Sequence, residues 1–193
     1  MNLNNSKKFL KDYQKDILKL IDNHEYETQL LTLKEKIIKI KKKKKKLIFV
    51  GNGGSAATAS HASVDFTKNA KITSINFNES DLITCFSNDY GYENWVKEAL
   101  KYYADKDDLL FIFSCSGESK NLIQAIKFAN YNKINVVTFT GKKKNNSLKK
   151  KNKKGINFFV KSQSYNQIEI IHHYLILALV DLCIGKINYS SKM

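Results

Sequence analysis

The stretch LIFVGNGGS at residues 47–55 joins a short apolar strand directly to a glycine-rich turn. The stretch LLFIFSCSGES at residues 109–119 repeats this arrangement with a turn rich in serine. A helix that begins after such a turn presents free backbone N–H groups and the positive end of its dipole, so an anion binds there with little rearrangement. Parallel α/β proteins also use turns of this kind for purely structural reasons. Two of them in one chain favour a ligand that carries one phosphate group.

Apolar runs alternate with helical patterns from residue 47 onward. Strands are predicted at 47–51, 72–76, 108–113, 134–139 and 156–160, and helices near 55–68, 80–87, 93–104, 119–131 and 166–184. The central runs are continuously apolar, as expected for parallel strands that are buried on both faces. The sequence therefore predicts an α/β fold with a doubly wound, five-stranded parallel sheet. Ligands of such sheets bind beyond the carboxyl ends of the strands, where both turns lie.

Two amphipathic helices precede the first strand. Residues 6–44 carry apolar side chains at helical spacing, with a break at residues 22–24. The 193 residues are expected to form one domain, 1–193, in which this helical hairpin contributes to oligomerisation. The segment 142–154 is nearly all lysine and asparagine and is predicted to be an exposed loop between the fourth and fifth strands, with closure over an anionic ligand as the alternative.

The net charge of +15 is carried by lysine alone, since the chain has no arginine. The lack of guanidinium groups, which grip phosphates in a bidentate way, argues against nucleic acid as a partner. Binding of a polyanion stays open as an alternative to lysines that are merely solvated. The three cysteines argue against a disulfide framework and favour a reduced, cytoplasmic protein. No signal peptide is visible, and the apolar stretch 174–180 is too short for membrane insertion.

Several motifs together resemble the sugar isomerase (SIS) family, and within it the phosphoheptose isomerase branch. They are GNGGSAATASH at 51–61, FSNDYGYENW at 86–95, SCSGESKN at 114–121, TFTG at 138–141 and YNQIEIIHHYL at 165–175. The resemblance covers nearly the whole chain and implies the flavodoxin-like SIS fold with its leading helical hairpin. It also implies a cytoplasmic homotetramer with zinc as cofactor. The implied reaction converts sedoheptulose 7-phosphate into D-glycero-D-manno-heptose 7-phosphate for lipopolysaccharide synthesis.

The resemblance assigns substrate and phosphate binding to both turns and to one further segment. The residues are Asn52, Gly53, Ser55, Asn88, Asp89, Ser114, Cys115, Ser116 and Ser119. Cys115 stands where a hydroxyl residue is more usual, and a thiol is a weaker hydrogen-bond donor. Asn88 and Asp89 fit either the edge of the site, with Asp89 as a secondary acid, or a plain turn at the end of a helix.

Ketose–aldose isomerisation through an enediol needs a base that moves a proton between C2 and C1 and a group that stabilises the oxyanion. His61 and Asp65 lie four residues apart, so they share one face of a helix. They match the family's metal-binding histidine and its catalytic glutamate, although Asp65 is one methylene shorter. Glu169 matches another metal ligand, whereas the family's second histidine falls on Leu177.

His172 matches a further histidine of the family, three residues after Glu169, and the neighbouring His173 is a candidate to replace the missing ring. The resemblance predicts Asp65, His172 and His173 as catalytic residues and His61, Asp65 and Glu169 as zinc ligands. His173 lies one turn from Glu169 on roughly the same face. The structural alternatives are a surface pair for His61 and Asp65, a backbone hydrogen bond for Glu169, and packing for both His172 and His173.

Two other functions compete with an isomerase. Leu177 and the shorter Asp65 suggest a SIS protein that binds a phosphosugar without turnover and acts as a sensor or scaffold. Dinucleotide-dependent redox chemistry rests on Gly51, Gly53 and Ala56, which match a short dinucleotide-binding fingerprint. The serine-rich turn has no role in that third interpretation, which makes it the weakest of the three.

Overall fold

The computed structural model describes residues 2–187, which fold as five strands and eight helices. The elements are α1 (Leu3–Ile21), α2 (His24–Lys42), β1 (Leu47–Val50), α3 (Gly54–Lys68), β2 (Ser74–Asn76), α4 (Ser80–Tyr90), α5 (Trp95–Tyr103), β3 (Leu109–Ser114), α6 (Lys120–Tyr131), β4 (Asn135–Gly141), α7 (Ser147–Lys151), β5 (Ile156–Val160) and α8 (Tyr165–Ile184). The predicted strands and the helical hairpin are confirmed, with small shifts at their ends. The expected domain bounds of 1–193 extend beyond the described residues at both ends.

The sheet has the strand order β2-β1-β3-β4-β5, and every neighbouring pair is parallel. The chain leaves β1 toward β2 on one side and then returns to place β3 on the other side. The order of strands therefore reverses between β1 and β3. Ligands of doubly wound sheets bind at such a switch point, beyond the carboxyl ends of the strands. The two polar turns of the sequence follow these two strands.

Apolar side chains fill both faces of the sheet. On one face, a phenylalanine cluster packs beneath α2, α3 and α8, with ring centroids 4.6 Å apart for Phe49–Phe111 and for Phe139–Phe158. On the other face, α5, α6 and α7 cover Ile48, Leu110 and Ile112. Because both faces are covered, the central strands need no polar alternation, and this explains their continuous apolar runs.

Helix α8 is the one helix within residues 2–187 that is long and apolar enough to cross a membrane. Its inward residues Ile168, Ile171, Leu175 and Leu179 are fully buried against the sheet and the neighbouring helices. Burial on one side and half-exposed apolar residues on the other are typical of a core helix, and α8 is one.

The lysine- and asparagine-rich segment after β4 differs from its prediction as an exposed loop. Its middle forms the short helix α7, with Leu148 completely buried in the core on that face of the sheet. Asn146 is also buried and caps the helix by accepting a hydrogen bond from the backbone N–H of Lys149 at 2.9 Å. The prediction of an exposed loop is therefore wrong for these residues, because a single leucine among lysines gives no periodic signal.

Candidate functional site

The serine-rich turn leaves the start of α6 open to an anion. Gly117 donates its backbone N–H to Ser114 Oγ at 3.2 Å, and Glu118 donates its own to Ser116 Oγ at 3.1 Å. Ser119 occupies the cap position of α6, but its side chain makes no capping hydrogen bond and lies 3.4 Å from Ser114 Oγ. The first N–H groups of α6 therefore have no side-chain partner.

The glycine-rich turn places a second helix start beside the first, and no side chain caps it. The backbone N–H groups of Ser55 and Ala56 donate to the carbonyl oxygens of Asn52 and Gly53 at 3.1 and 2.9 Å. Gly53 caps α3 with a φ of 55°, a left-handed conformation that glycine adopts without strain. It has no side chain with which to bond the first turn of α3. Since β1 and β3 are neighbours, the uncapped ends of α3 and α6 lie at the same edge of the sheet. Two partial positive charges meet there.

An amide pair ties the two turns together. Asn52 donates to Asn121 Oδ1 at 3.0 Å, and Asn121 donates back to Asn52 Oδ1 at 2.8 Å. Tyr92 donates its hydroxyl to the same Asn52 oxygen at 3.3 Å. Sequence reasoning assigned Asn52 to the substrate and missed Asn121 and Tyr92. Asn121 is the last residue of the motif at 114–121, and its place in this motif could have identified it as a residue of the site.

Asn88 and Asp89 lie at the exposed end of α4. Asn88 donates to Asp89 Oδ1 at 3.0 Å, and Cys85 Sγ lies 3.8 Å from the other carboxylate oxygen. This geometry fits the alternative of a helix end. Tyr92, just beyond them, is the residue of this segment that reaches the turns, so a substrate role for Asn88 and Asp89 stays a prediction.

A chain of polar contacts runs along the interface between α3 and α8. His61 Nδ1 lies 3.1 Å from His173 Nε2, and His61 Nε2 lies 3.4 Å from Asp65 Oδ2. At the far end, His173 Nδ1 lies 3.3 Å from Thr58 Oγ1. One set of proton positions satisfies all three contacts: each ring donates from Nε2 toward Asp65 and accepts at Nδ1. Sequence reasoning did not identify Thr58.

The surroundings of His173 decide its charge state. Burial lowers the pKa of His173, the neighbouring His61 lowers it further, and Asp65 opposes the shift. His173 is therefore a neutral ring at neutral pH and is able to accept a proton. The His61 side chain is 48% exposed and that of Asp65 is 21% exposed, so a small molecule has access to both.

His172 points away from this chain of contacts into the core. Its Nε2 donates to the carbonyl oxygen of Thr140 at 3.3 Å, and its ring packs against Phe113 and Phe139. Burial lowers its pKa to about 4. The structure thus brings together Asp65 and His173 of the predicted catalytic residues, whereas His172 fits the packing alternative.

Glu169 lies between the serine-rich turn and the histidines. Its Oε1 is 3.8 Å from Cys115 Sγ, which in turn lies 3.9 Å from Ser55 Oγ. Burial raises the pKa of the Cys115 thiol to about 11, and the nearby Glu169 carboxylate adds to the shift. Cys115 is therefore a neutral donor whose side chain faces Glu169. The Glu169 carboxylate lies against Gly54, where an added Cβ would overlap with it unless the Glu169 side chain moved.

The predicted zinc ligands do not form a complete binding site. Within residues 2–187, no three side chains of His, Cys, Asp or Glu converge in a way that could hold a metal ion. His61 and Asp65 contact each other, while Glu169 contacts Cys115 instead. Leu177, at the position of the family's second histidine, packs against the apolar core. The described residues of a single chain therefore do not form a complete zinc site, and zinc binding stays a prediction.

Comparisons with known proteins identify relatives of this chain. A sequence profile of the SIS domain matches residues 12–141, more than half of the chain. The phosphoheptose isomerase of Cytophaga hutchinsonii is 31% identical over 127 residues, which cover 63% of this chain and 66% of that protein, slightly less than two thirds of its length. The phosphoheptose isomerase of Coxiella burnetii is 29% identical over 152 residues, which cover 76% of either chain.

The fold has a close match among solved structures. A phosphoheptose isomerase from Francisella tularensis superposes with a TM-score of 0.86 and covers 96% of this chain and 100% of its own. The two sequences are 19% identical. An identity this low shows a shared fold and carries no residue roles.

Proposed function

The chain belongs to the SIS domain family, and from this membership we propose that it is an isomerase of phosphorylated seven-carbon sugars. The reaction converts sedoheptulose 7-phosphate into D-glycero-D-manno-heptose 7-phosphate through an enediol. The observation that carries the proposal is the 3.1 Å contact between His61 and His173. Through this contact His173 supplies a second histidine to the site, although Leu177 occupies the position where the family usually has that histidine.

The substrate phosphate binds where α3 and α6 begin. Free N–H groups of the first turn of α6 and the hydroxyls of Ser116 and Ser119 are the donors. A phosphate at this position gains hydrogen bonds without displacing a capping side chain. Gly53 and Gly54 let the sugar chain approach the backbone of α3 closely.

The distance from this phosphate site to the histidines suits a sugar of this length. His61 lies seven residues beyond Gly54 on α3, or about 10 Å at 1.5 Å per residue. An extended seven-carbon sugar phosphate spans a similar distance from its phosphate to C1 and C2. Glu169 faces the middle of this path and can bond the hydroxyls of the sugar.

The proton moves in two steps. Asp65, as base, takes a proton from C1 of the ketose while the C2 carbonyl oxygen receives one, and this gives the enediol. Asp65 then returns its proton to C2 while O1 loses one, and this gives the aldose. His61 and His173 supply and recover the oxygen-bound proton, since they form a continuous hydrogen-bonded chain with Asp65.

Assembly into a homotetramer belongs to the proposal. Val64, Ile170 and Tyr174 are exposed apolar side chains on α3 and α8, the two helices that carry the histidines. A second subunit that covers this face would shield the enediol from water and complete the site. We place the enzyme in the cytoplasm, in lipopolysaccharide synthesis.

The alternative is a SIS protein that binds the phosphosugar without turnover, as a sensor or scaffold. Leu177 and the short side chain of Asp65 favour it. Under this alternative the starts of α3 and α6 and the amide pair still bind a phosphosugar, but the histidines transfer no proton.

Two substitutions test the proposal. Purified Asp65→Asn should lose at least about 100-fold in turnover of sedoheptulose 7-phosphate, because it removes the base. His173→Leu should lose a similar amount. Both variants should bind the sugar phosphate as the parent protein does, as measured by calorimetry with and without added zinc. Asp12→Asn, on the exposed face of α1, is the matched control. Unchanged turnover in Asp65→Asn would remove this residue from the mechanism, and tight binding without turnover in the parent protein would favour the sensor.

A further inference from the structure

A strongly charged cleft lies at the edge of the sheet opposite the two polar turns. It has a volume of about 780 Å³, and the amino ends of β3 and β4 and the turn before β5 form its floor. Strand β3 separates it from the serine-rich turn by six residues, or about 20 Å. This cleft is therefore distinct from the sugar-phosphate site, and no residue of the proposed reaction lines it.

Seven lysines and no carboxylate line this cleft. They come from α2, α6, α7 and the turns that follow α6 and α7, and Lys36, Lys127, Lys151 and Lys154 are among them. Within the described residues, none of the seven forms an ion pair. Their charges add in a concave space, where a potential is stronger than on an open surface.

Among residues 2–187, carboxylates pair with lysines close to the cleft but not within it. At the same edge of the sheet, Lys46 pairs with Asp105 and Asp108 at 2.8 and 2.7 Å, and Lys43 pairs with Asp107 at 3.2 Å. Among the described lysines outside the cleft, four form ion pairs, namely Lys43, Lys46, Lys97 and Lys101, whereas none of the seven inside it does. Lys150 is a partial exception, because it lies near Glu118 and helps Ser147 to lower the pKa of that carboxyl.

Hydrogen bonds fix the walls of the cleft. Asn130 on α6 donates to the backbone carbonyl of Lys151 on α7 at 2.9 Å. The buried Asn152 donates to Thr138 Oγ1 and to the carbonyl of Ile156 at 3.1 and 2.9 Å. A Cβ at Gly155 would overlap with Asn152 and with the backbone of β4. The lysines therefore project from a framework that is already formed.

We propose that this cleft binds a small ligand with a chain of phosphate groups. Its volume lies within the usual range of small-molecule sites, about 300 to 1,000 Å³. Lysine ammonium groups bind phosphates as point charges and place little demand on geometry. No aromatic side chain lines the cleft, so nothing is available to stack a nucleic-acid base. The recognised part is the polyphosphate chain, whether it is inorganic or belongs to a nucleoside triphosphate.

Calorimetry with sodium tripolyphosphate at 150 mM salt tests this proposal on the full chain. The variant Lys127→Gln/Lys151→Gln/Lys154→Gln should weaken binding by about tenfold or more, because three of the phosphate contacts are lost. The control Lys8→Gln/Lys106→Gln/Lys186→Gln has the same net charge but alters exposed lysines elsewhere and should stay within about twofold of the parent protein. Equal weakening in the two variants would overturn the proposal. Circular dichroism establishes that each variant is folded.

Further experiments distinguish binding in this cleft from binding at the serine-rich turn and from binding of nucleic acid. Ser116→Ala/Ser119→Ala should leave tripolyphosphate binding unchanged, and its loss would assign the ligand to the serine-rich turn instead. ATP that binds as tightly as tripolyphosphate indicates that the phosphate chain alone is read. ATP that binds more than tenfold tighter indicates a nucleoside triphosphate as the natural source. Bound double-stranded RNA that tripolyphosphate does not displace would overturn the proposal in favour of nucleic acid.

Discussion

The adjacent residues His172 and His173 have opposite environments on α8. Successive residues of a helix point about 100° apart, so one ring enters the core while the other faces α3. His172 donates to Thr140 and leaves its Nδ1 buried without a partner among the described residues. His173 contacts both His61 and Thr58. His172 therefore affects the stability of the fold, whereas His173 belongs to the proposed reaction.

His172 should make the protein sensitive to acid. Its pKa is about 4 in the fold and 6.5 in the unfolded chain, so the unfolded state takes up a proton first as the pH falls. The stabilisation is fully present above pH 6.5 and is lost progressively down to pH 4, for a total of about 3 kcal/mol. His172→Gln should reduce this loss, as measured by urea unfolding at pH 7.5, 5 and 4.

His24→Gln, at the exposed start of α2, is the control for this measurement. It should follow the parent protein at every pH. If His172→Gln loses as much stability as the parent protein between pH 7.5 and 4, then the buried ring is not the group that binds the proton.

Part of the site could be predicted at the scale of single residues. The spacing of His61 and Asp65 predicts their contact, since it depends on one helix alone. The contact of His61 with His173 depends on how α3 packs on α8, which the sequence does not specify. The sequence places His173 one turn from Glu169 but does not show that His173, rather than His172, reaches His61.

At the scale of elements, α7 is hydrogen-bonded to the serine-rich turn. Leu148 donates its backbone N–H to the carbonyl of Gly117 at 3.1 Å, and Ser147 donates to Glu118 Oε1 at 2.9 Å. Gly117 has a φ of 67°, and a Cβ there would overlap with the side chain of Asn146. The turn and the helix therefore hold each other in place.

Gly117→Ala should weaken binding of sugar phosphate by about tenfold or more, because the turn must move away from Asn146. Gly185→Ala is a matched control, since Gly185 also has a positive φ but has no neighbour within 4 Å of a new Cβ. It should cost about 1 kcal/mol of stability and leave binding unchanged. Calorimetry and urea unfolding measure the two effects. Equal affinity in both variants would show that α7 does not shape the phosphate site.

The strands and longer helices were predictable because each carries its own periodic pattern. The five apolar runs, the helical hairpin and both polar turns all follow from local sequence. The short helix α7 was not predictable, because its formation depends on one buried leucine and on capping by Asn146. Tertiary packing, rather than helix propensity, decides the structure of that segment.

At the scale of the whole molecule, α1 lies on the outside with an unpartnered apolar face. None of its residues is buried, and only Ile17, Leu20 and Ile21 pack partly against the core. Phe9 and Leu10 are more than half exposed. A face of this kind is expected to pack against other subunits in the proposed tetramer.

Phe9→Asp should therefore dissociate the assembly, because it places a charge in an apolar contact. Light scattering coupled to size exclusion should give a tetramer for the parent protein and a smaller species for this variant. Tyr131→Asp, at a side chain that is 87% exposed on α6, should remain tetrameric. A parent protein that is monomeric at all concentrations would contradict the proposed site between subunits.

The most direct test of the isomerase is proton exchange during turnover. The protein is incubated with sedoheptulose 7-phosphate in deuterated water, with and without zinc, and the C1 and C2 signals are followed by NMR. We expect an aldose to form with deuterium at C2, because the base exchanges its proton with solvent before returning it. Sugar phosphate that binds but shows neither conversion nor deuterium uptake would contradict the isomerase and leave a phosphosugar-binding protein.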